Sequence, residues 1–592
     1  MNEPRDQLPA NFGLAVRWCG GVGLILALFG IFQVSLPFEQ RGTAADPPPP
    51  VIEKEPTIGG IRLFANWPTS QKPDAAIVLS GETFGFLQPC GCSRPQKGGL
   101  ERRSQFIQSL KAKGWPVAAV DLGDIYPQTV AVREQGLLKY KTTMDALREM
   151  GYIGVGLGKT EFKVEIDRIL GEYALQKDQP PFTLAGNLCG SLSVGGQAQK
   201  REQRFEVPGL SRPLVEDAEF VTVGTVSLGV VGTIGRSVME KVTESKWDET
   251  IAFEDNREFL KFMVAKIASQ LKKTELNILL FQGSTEEARN LAQDWPQFQV
   301  ILCLADDSEP PQYPIEVVGK LHPAGRKTLI IQVGHQGRYV GVLGVFKRAG
   351  GGVDLKYQLV PLGEEYITPG TDAEALKTNP VLPILENYAK KVKDWKLMDQ
   401  VPRLPHPAQI LEPKLNLNYI GSAKCQGCHA AEMAKWHETA HSKAFEALEK
   451  TAKRPSLRQF DGECIVCHTV GFGVKTGYEN QIKTPNLLNV GCESCHGPGS
   501  GHAADPKNKA LLALQAPWKQ NPDERLPDAN FMKKMADLNG IQRGQQVIPA
   551  AQLMLVNKTS EMCMRCHNYE NDPHFDLYTY WPKIQHGALR GK

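Results

Sequence analysis

The last third of the chain repeats one spacing four times: Cys425-Gln-Gly-Cys428-His429, Cys464-Ile-Val-Cys467-His468, Cys492-Glu-Ser-Cys495-His496 and Cys563-Met-Arg-Cys566-His567. Two thiols two residues apart, followed at once by an imidazole, suit covalent haem attachment. The sulfurs take the vinyl carbons as thioethers and the histidine ligates iron. Zinc also accepts paired C-x-x-C units, but it needs no histidine directly after the second cysteine, and here every pair has one. The spacing predicts four covalent haem c groups, with His429, His468, His496 and His567 as proximal iron ligands.

The sixth ligand decides what each haem does. A second imidazole makes a closed electron-transfer centre, and an open position makes a substrate site. His437, His441, His502, His574 and His586 are the remaining histidines of this segment. Four haems in so short a stretch leave few side chains per cofactor. Porphyrins are therefore expected to supply much of the core over residues 418–592 and to lie close enough for electron hopping, and the domain is expected to be mainly α-helical.

The stretches "YIGSAKCQGCHAAEMAKWHETAHSKAFEAL", "LLNVGCESCHGPGSGHA" and "CMRCHNYENDPHFDLYTYWPKIQHG" resemble the cytochrome c-554-type tetrahaem domain. The resemblance implies distal ligands at His441, His502 and His586. It places none at His574 or His437. The fourth haem stays open between those two, a methionine such as Met532, Met535 or Met554, and a five-coordinate iron of the kind that family contains.

A multidomain chain must position this array, because 592 residues exceed one core. From residue 72 to 365 buried apolar runs alternate with amphipathic segments. Strands are expected at Ala75–Ser80, Pro116–Asp121, Phe182–Ala185, Leu228–Thr233, Asn277–Phe281, Gln299–Leu304 and Thr328–Val333. Helices are expected at Leu100–Lys113, Leu138–Met150, Phe259–Lys273 and Thr285–Leu291. That alternation predicts a layered α/β domain.

The blocks "AIVLSGETFGFLQPCGCSRPQKGGLERR", "VAAVDLGD", "GYIGVGLGKTEF", "FTLAGNL", "LGVVGTIG" and "VGHQGRYVGVL" resemble the calcineurin-like metallophosphoesterases, specifically the N-terminal domain of the periplasmic 5'-nucleotidases. The family's metal ligands are mostly replaced. Its Asp-x-His position reads Ser80-Gly81-Glu82-Thr83, and Gly123-Asp124 survives. Its Gly-Asn-His-Glu reads Gly158-Lys159-Thr160-Glu161, and its late histidine pair reads Ala305-Asp306-Asp307-Ser308. A dinuclear hydrolytic site needs a filled set of ligands. The domain is thus expected to be silent in that chemistry, with His335 a structural turn residue. Cys90-Gly91-Cys92 could hold a soft metal, form a reducible disulfide or do neither.

The ends of this layout are simpler. Residues 18–38 carry no charge and are long enough to cross a hydrocarbon core, so residues 1–40 read as an anchor or export signal. A proline-rich spacer over 41–71 follows. Residues 366–417 read as a proline-rich connector with one helix at Ile384–Leu397 and a solvent-facing His406. A net charge of +3 implies no nucleic acid partner.

These features lead to the expectation of a tethered periplasmic electron carrier with redox partner proteins and a docking module of unidentified ligand. The alternative is an oxidoreductase acting on a small nitrogen or sulfur species at a five-coordinate haem.

Overall fold

The computed structural model describes residues 57–586, apart from 59–60, 70, 92–93, 175–178, 191–204, 206–210, 246–250, 271–273, 320, 324–325, 451–453 and 522–523. The apolar run 18–38, Cys19 and Cys92 lie outside the described residues. Among the described residues, no helix is long and apolar enough to cross a membrane.

Two six-stranded sheets make the middle domain. In the first, Ala75–Ser80, Val117–Asp121, Tyr152–Gly156 and Phe182–Leu184 run parallel, and Tyr339–Lys347 and Val353–Pro361 close one side antiparallel. In the second, Val226–Ile234, Leu276–Gln282, Val300–Cys303 and Thr328–Ile331 run parallel between antiparallel edges Ala218–Val223 and Ile315–Val317.

Strand alternation sorts the side chains into layers. Ile77, Leu79, Val120, Val230, Ile278, Leu280 and Leu302 pack sheet against sheet. Val78 and Ala119 face Leu100, Phe106, Leu138, Met144 and Leu147 on the helices outside the first sheet. Val231, Leu279, Phe281 and Ile301 face Phe259, Leu260, Met263, Ala288 and Leu291 outside the second. The result is four layers, helix–sheet–sheet–helix.

Five strands of the two six-stranded sheets exceed the sequence expectation: Tyr152–Gly156, Ala218–Val223, Ile315–Val317, Tyr339–Lys347 and Val353–Pro361. Glycines at 154, 156, 341 and 344 interrupt the apolar signal in two of them. They are tolerated because neighbours approach closely. A Cβ on Gly156 would lie 2.1 Å from the Leu122 carbonyl oxygen.

The connector holds more helix than expected. Val381–Asp394 buries Leu382, Leu385, Tyr388 and Val392. Asp372–Thr378 begins at a Thr371/Glu374 capping box, and Pro407–Leu411 begins at His406. His406 is half-buried rather than solvent-facing. Its ring lies against Gly497, its Nδ1 accepts the Ala408 N–H at 3.2 Å, and burial pushes its pKa down. Gly497 sits directly after the third haem motif, so this histidine packs on that motif's turn.

The C-terminal domain is built of short helices, the longest being Ala550–Cys563 at 14 residues. Its protein core is divided into three small clusters, centred on Ile465 and Tyr478, on Leu417 and Leu511, and on Met532 and Val556. The middle domain and the connector grip it at several points. Arg454 pairs with Glu101 at 3.4 Å and Asp372 at 3.2 Å. Glu386 accepts from Ser456 Oγ at 2.6 Å. Arg338 lies 4.4 Å from the centre of the Tyr569 ring, and Tyr569 donates to Glu309 at 2.8 Å.

Candidate haem centres

Each C-x-x-C-H motif lies in or beside a helix. Gly462–His468 and Cys492–His496 hold their motifs within one or two turns, Ala550–Cys563 delivers the fourth, and the first precedes Ala430–His437. A helical turn brings both sulfurs and the imidazole to one side.

The proximal and distal candidates meet in pairs. Ring centroids lie 6.1 Å apart for His429 and His502, 6.1 Å for His441 and His567, and 6.0 Å for His496 and His586. Metal–imidazole bonds of about 2.0–2.1 Å on opposite sides of one metal put two ring centroids roughly 6.3 Å apart. The donor spacing therefore fits an iron between each pair.

The outer nitrogens of His468, His496, His567 and His586 are engaged in the way metal-binding imidazoles require. Nδ1 donates to the Ala444 carbonyl from His468 at 2.5 Å, to the Gln515 carbonyl from His496 at 2.7 Å, and to the Ile584 carbonyl from His586 at 2.9 Å. His567 Nδ1 lies 2.7 Å from Asp572 Oδ2. This hydrogen bonding leaves Nε2 as the free electron pair. Burial holds His441, His468 and His496 below the ordinary imidazole value, which favours the neutral ring that binds metal.

The other fourth-haem candidates are placed elsewhere. His437 packs on Trp436 at 4.8 Å, and His574 Nε2 donates to the Pro95 carbonyl at 2.9 Å. Met532 belongs to the third core cluster, Met535 is buried, and Met554 Sδ takes a contact from Gln520 at 3.0 Å.

Motif cysteines also touch across motifs. Cys425 and Cys492 share a thiol hydrogen bond, as do Cys467 and Cys566. Cys495 lies within electrostatic reach of Cys563 and Cys566. First and third motifs are thereby adjacent, third and fourth are adjacent, and fourth and second are adjacent.

The second motif stands at the border with the middle domain. Asp461 caps its helix, accepting Glu463 N–H at 3.0 Å, Gln135 Nε2 at 2.8 Å and Tyr388 Oη at 3.3 Å. Cys90 is at the same border. Its thiol lies 3.4 Å from the Asn571 carbonyl, and its own carbonyl accepts from Arg458 at 2.6 Å. Asp572, Gln135, Lys139 and Arg458 were not among the sequence candidates. Only Asp572, five residues after His567, had a local signal.

In the middle domain, the positions matching the phosphoesterase ligands are tied into the fold. Glu161 accepts the N–H groups of Ile125 at 2.6 Å, Gly158 at 2.8 Å, Tyr126 at 2.9 Å and Asp124 at 3.2 Å. Asp124 Oδ1 accepts Thr160 N–H at 2.8 Å. The Arg103 guanidinium, 1% exposed, lies against Ser80, Asp121 and Thr83, and Lys159 acts electrostatically on Asp124 and His335. His335 does more than shape a turn: Nε2 is 3.4 Å from Glu82, and Nδ1 is 3.1 Å from Ser308 Oγ. Among the described residues, no group of three or more His, Cys, Asp or Glu is arranged to hold a metal ion.

The family model described as cytochrome c554 and c-prime matches residues 424–497. Cytochrome c-554 of Nitrosomonas europaea is 33% identical over 166 residues, 26% of this chain, and the chain spans 60% of that relative's length. The C-terminal domain is of the cytochrome c-554 family, which implies covalent haem c.

Among solved structures, a 5'-nucleotidase precursor from Thermus thermophilus aligns with 54% of this chain and 59% of its own, at 21% identity and a TM-score of 0.40. The sulfate thiohydrolase SoxB, also from Thermus thermophilus, aligns with 55% and 62%, at 15% identity and a TM-score of 0.40. The calcineurin-like phosphoesterase YfkN from Bacillus subtilis aligns with 54% and 97%, at 14% identity and a TM-score of 0.38.

Proposed function

We propose that this chain is an exported tetrahaem electron carrier, tethered by residues 18–38, whose middle domain docks the array against its partner or ligand. The observation that carries the reading is the trio of imidazole pairs at 6.0–6.1 Å. Haem iron bound on both faces supplies outer-sphere electron transfer, with its potential set by ligands, hydrogen bonds and burial.

Within that reading, Cys425, Cys428, Cys464, Cys467, Cys492, Cys495, Cys563 and Cys566 form the thioethers. His429, His468, His496 and His567 are proximal ligands, and His502, His441 and His586 are distal ligands. His502 serves the first haem, His441 the fourth and His586 the third. The cross-motif cysteine contacts order the array as first, third, fourth, second, so its second-motif end abuts the middle domain. Electrons then pass between a donor at one end and an acceptor at the other.

The middle domain acts by binding rather than hydrolysis. Arg103 and Lys159 bring positive charge to the positions where the resembling family keeps metal.

Haem quantification by pyridine haemochrome, joined to low-temperature EPR of the oxidised protein, tests the proposal. Four haems per chain, at least three of them low-spin with bis-imidazole signals, are expected. Fewer than three low-spin centres overturns it. A fourth centre that is high-spin turns attention to oxidoreductase activity at the second motif.

A further inference from the structure

Lys139 stands on the helix Arg133–Met150 of the middle domain and is 7% exposed. Its ammonium donates to Glu463, the residue immediately before Cys464. One helical turn earlier, Gln135 holds Asp461, the cap of the same motif helix, at 2.8 Å. Tyr388, from the connector, donates to Asp461 at 3.3 Å and accepts from Gln135 Nε2 at 3.0 Å. The middle domain thus inserts a buried cation beside the thioether cysteine of the second motif.

Burial opposes the charge on Lys139, but Glu463 and Asp461 more than offset it and hold the ammonium above the ordinary lysine value. The charged groups that face Cys464 are Lys139 and Arg458 on one side of the balance, and Asp461 and Glu463 on the other. Glu463 keeps 51% of its side chain exposed, and Lys139 opposes the rise that burial gives its pKa, so the comparison is made at pH 8, where the carboxylate is favoured. A haem gains an electron more readily near positive charge, because the added negative charge is stabilised most where the surroundings are poorly polarisable.

We infer that Lys139 is a positioning residue which sets the reduction potential of the haem held by Cys464, Cys467 and His468, so that the last centre of the array is completed by the middle domain. The inference rests on the proposed tetrahaem reading. It gives the middle domain, which lies outside the residues 424–497 matched by the cytochrome family model, a part in the redox chemistry. Lys139→Met leaves Asp461 and Glu463 opposed by Arg458 alone and favours the oxidised haem. Lys139→Met with Glu463→Gln removes one charge of each sign and restores the balance.

The test is a potentiometric titration of the full haem-loaded chain at pH 8, followed by optical and EPR spectra. In Lys139→Met one of the four midpoints should move negative while the other three hold. The double variant should return it towards the wild-type value. Glu463→Gln alone should move the same midpoint positive, and it reads the proposal even where Lys139→Met fails to mature.

Unmoved midpoints, a shift common to all four haems, or a double variant displaced as far as the single one overturns the role of Lys139. Peptide mass mapping separates this failure from that of the underlying reading. A wild-type chain without haem at Cys464 and Cys467 overturns the tetrahaem reading, whereas a fully loaded chain with unmoved potentials overturns only the lysine's part.

Discussion

The imidazoles of His441 and His567 face each other at 6.1 Å, although one lies between the first and second haem motifs and the other closes the fourth. Such a pair is a candidate ligand set that no single segment contains. His567 is further fixed by Asp572, and Phe575 stacks on its ring at 5.3 Å.

Replacing His441 with Ala should convert one low-spin haem to high spin, read as loss of one bis-imidazole EPR component with total haem unchanged. His502→Ala and His586→Ala should each do the same to a different haem. His437→Ala, whose ring lies on Trp436, should leave the spectrum intact. A changed spectrum in His437→Ala with none in His441→Ala would reverse the assignment.

Asp572→Asn should weaken the hold on the fourth proximal imidazole without removing it, because the carboxylate gives the His567 Nδ1–H a charged acceptor. The expected outcome is a positive shift of one midpoint, since the ring donates less electron density to iron. Potentiometry on the loaded chain checks it, and four unmoved midpoints would deny Asp572 this role.

The hydrogen bond to Glu82 holds the His335 imidazole above its ordinary value. A raised value in the folded state means the interaction stabilises fully below the unfolded pKa and is lost as pH rises through the folded one. Glu82→Gln should lower the His335 midpoint, followed by NMR of labelled histidines with His335→Gln to assign the signal. An unchanged midpoint would show that Glu82 is not the cause.

Arg454 joins the haem domain to the middle domain through Glu101, Asp372 and the Thr368 carbonyl, with 16% of its side chain exposed. Arg454→Met should cost roughly 2–3 kcal/mol, because it strands partly buried carboxylates. Denaturant unfolding followed by haem absorbance and tryptophan fluorescence measures it. A cost below about 0.5 kcal/mol would place the pair among screened surface contacts.

Metal-dependent hydrolysis gives a direct check on the middle domain. The full chain with added Mn²⁺ or Zn²⁺ should leave bis-p-nitrophenyl phosphate at the blank rate. Turnover above the blank that is lost on chelation would restore the hydrolytic reading, against the cations at Arg103 and Lys159.

Much of the middle domain was legible because continuous apolar runs mark strands buried on both faces. Ala75–Ser80 and Thr285–Asp294 appear close to where the pattern places them. The strands at Tyr152–Gly156 and Tyr339–Lys347 carry no clear signal because their glycines serve close packing, not hydrophobic periodicity. His406 differs from its expectation for a related reason. Its burial comes from Gly497, about ninety residues away, and no local pattern encodes such a neighbour.

The sequence by itself determined the haem chemistry, since covalent attachment requires both thiols and the imidazole within five consecutive residues, and a local requirement leaves a local signature. It also determined that histidine is missing from the positions where the resembling phosphoesterases carry metal ligands, which is a matter of residue identity. Only the tertiary structure decided which histidine faces which, which motifs adjoin, and that Lys139, Gln135 and Cys90 stand beside the second motif. Those relations depend on how helices and sheets pack across hundreds of residues. Packing is set by the shape and burial of whole surfaces rather than by the order of residues along any one segment.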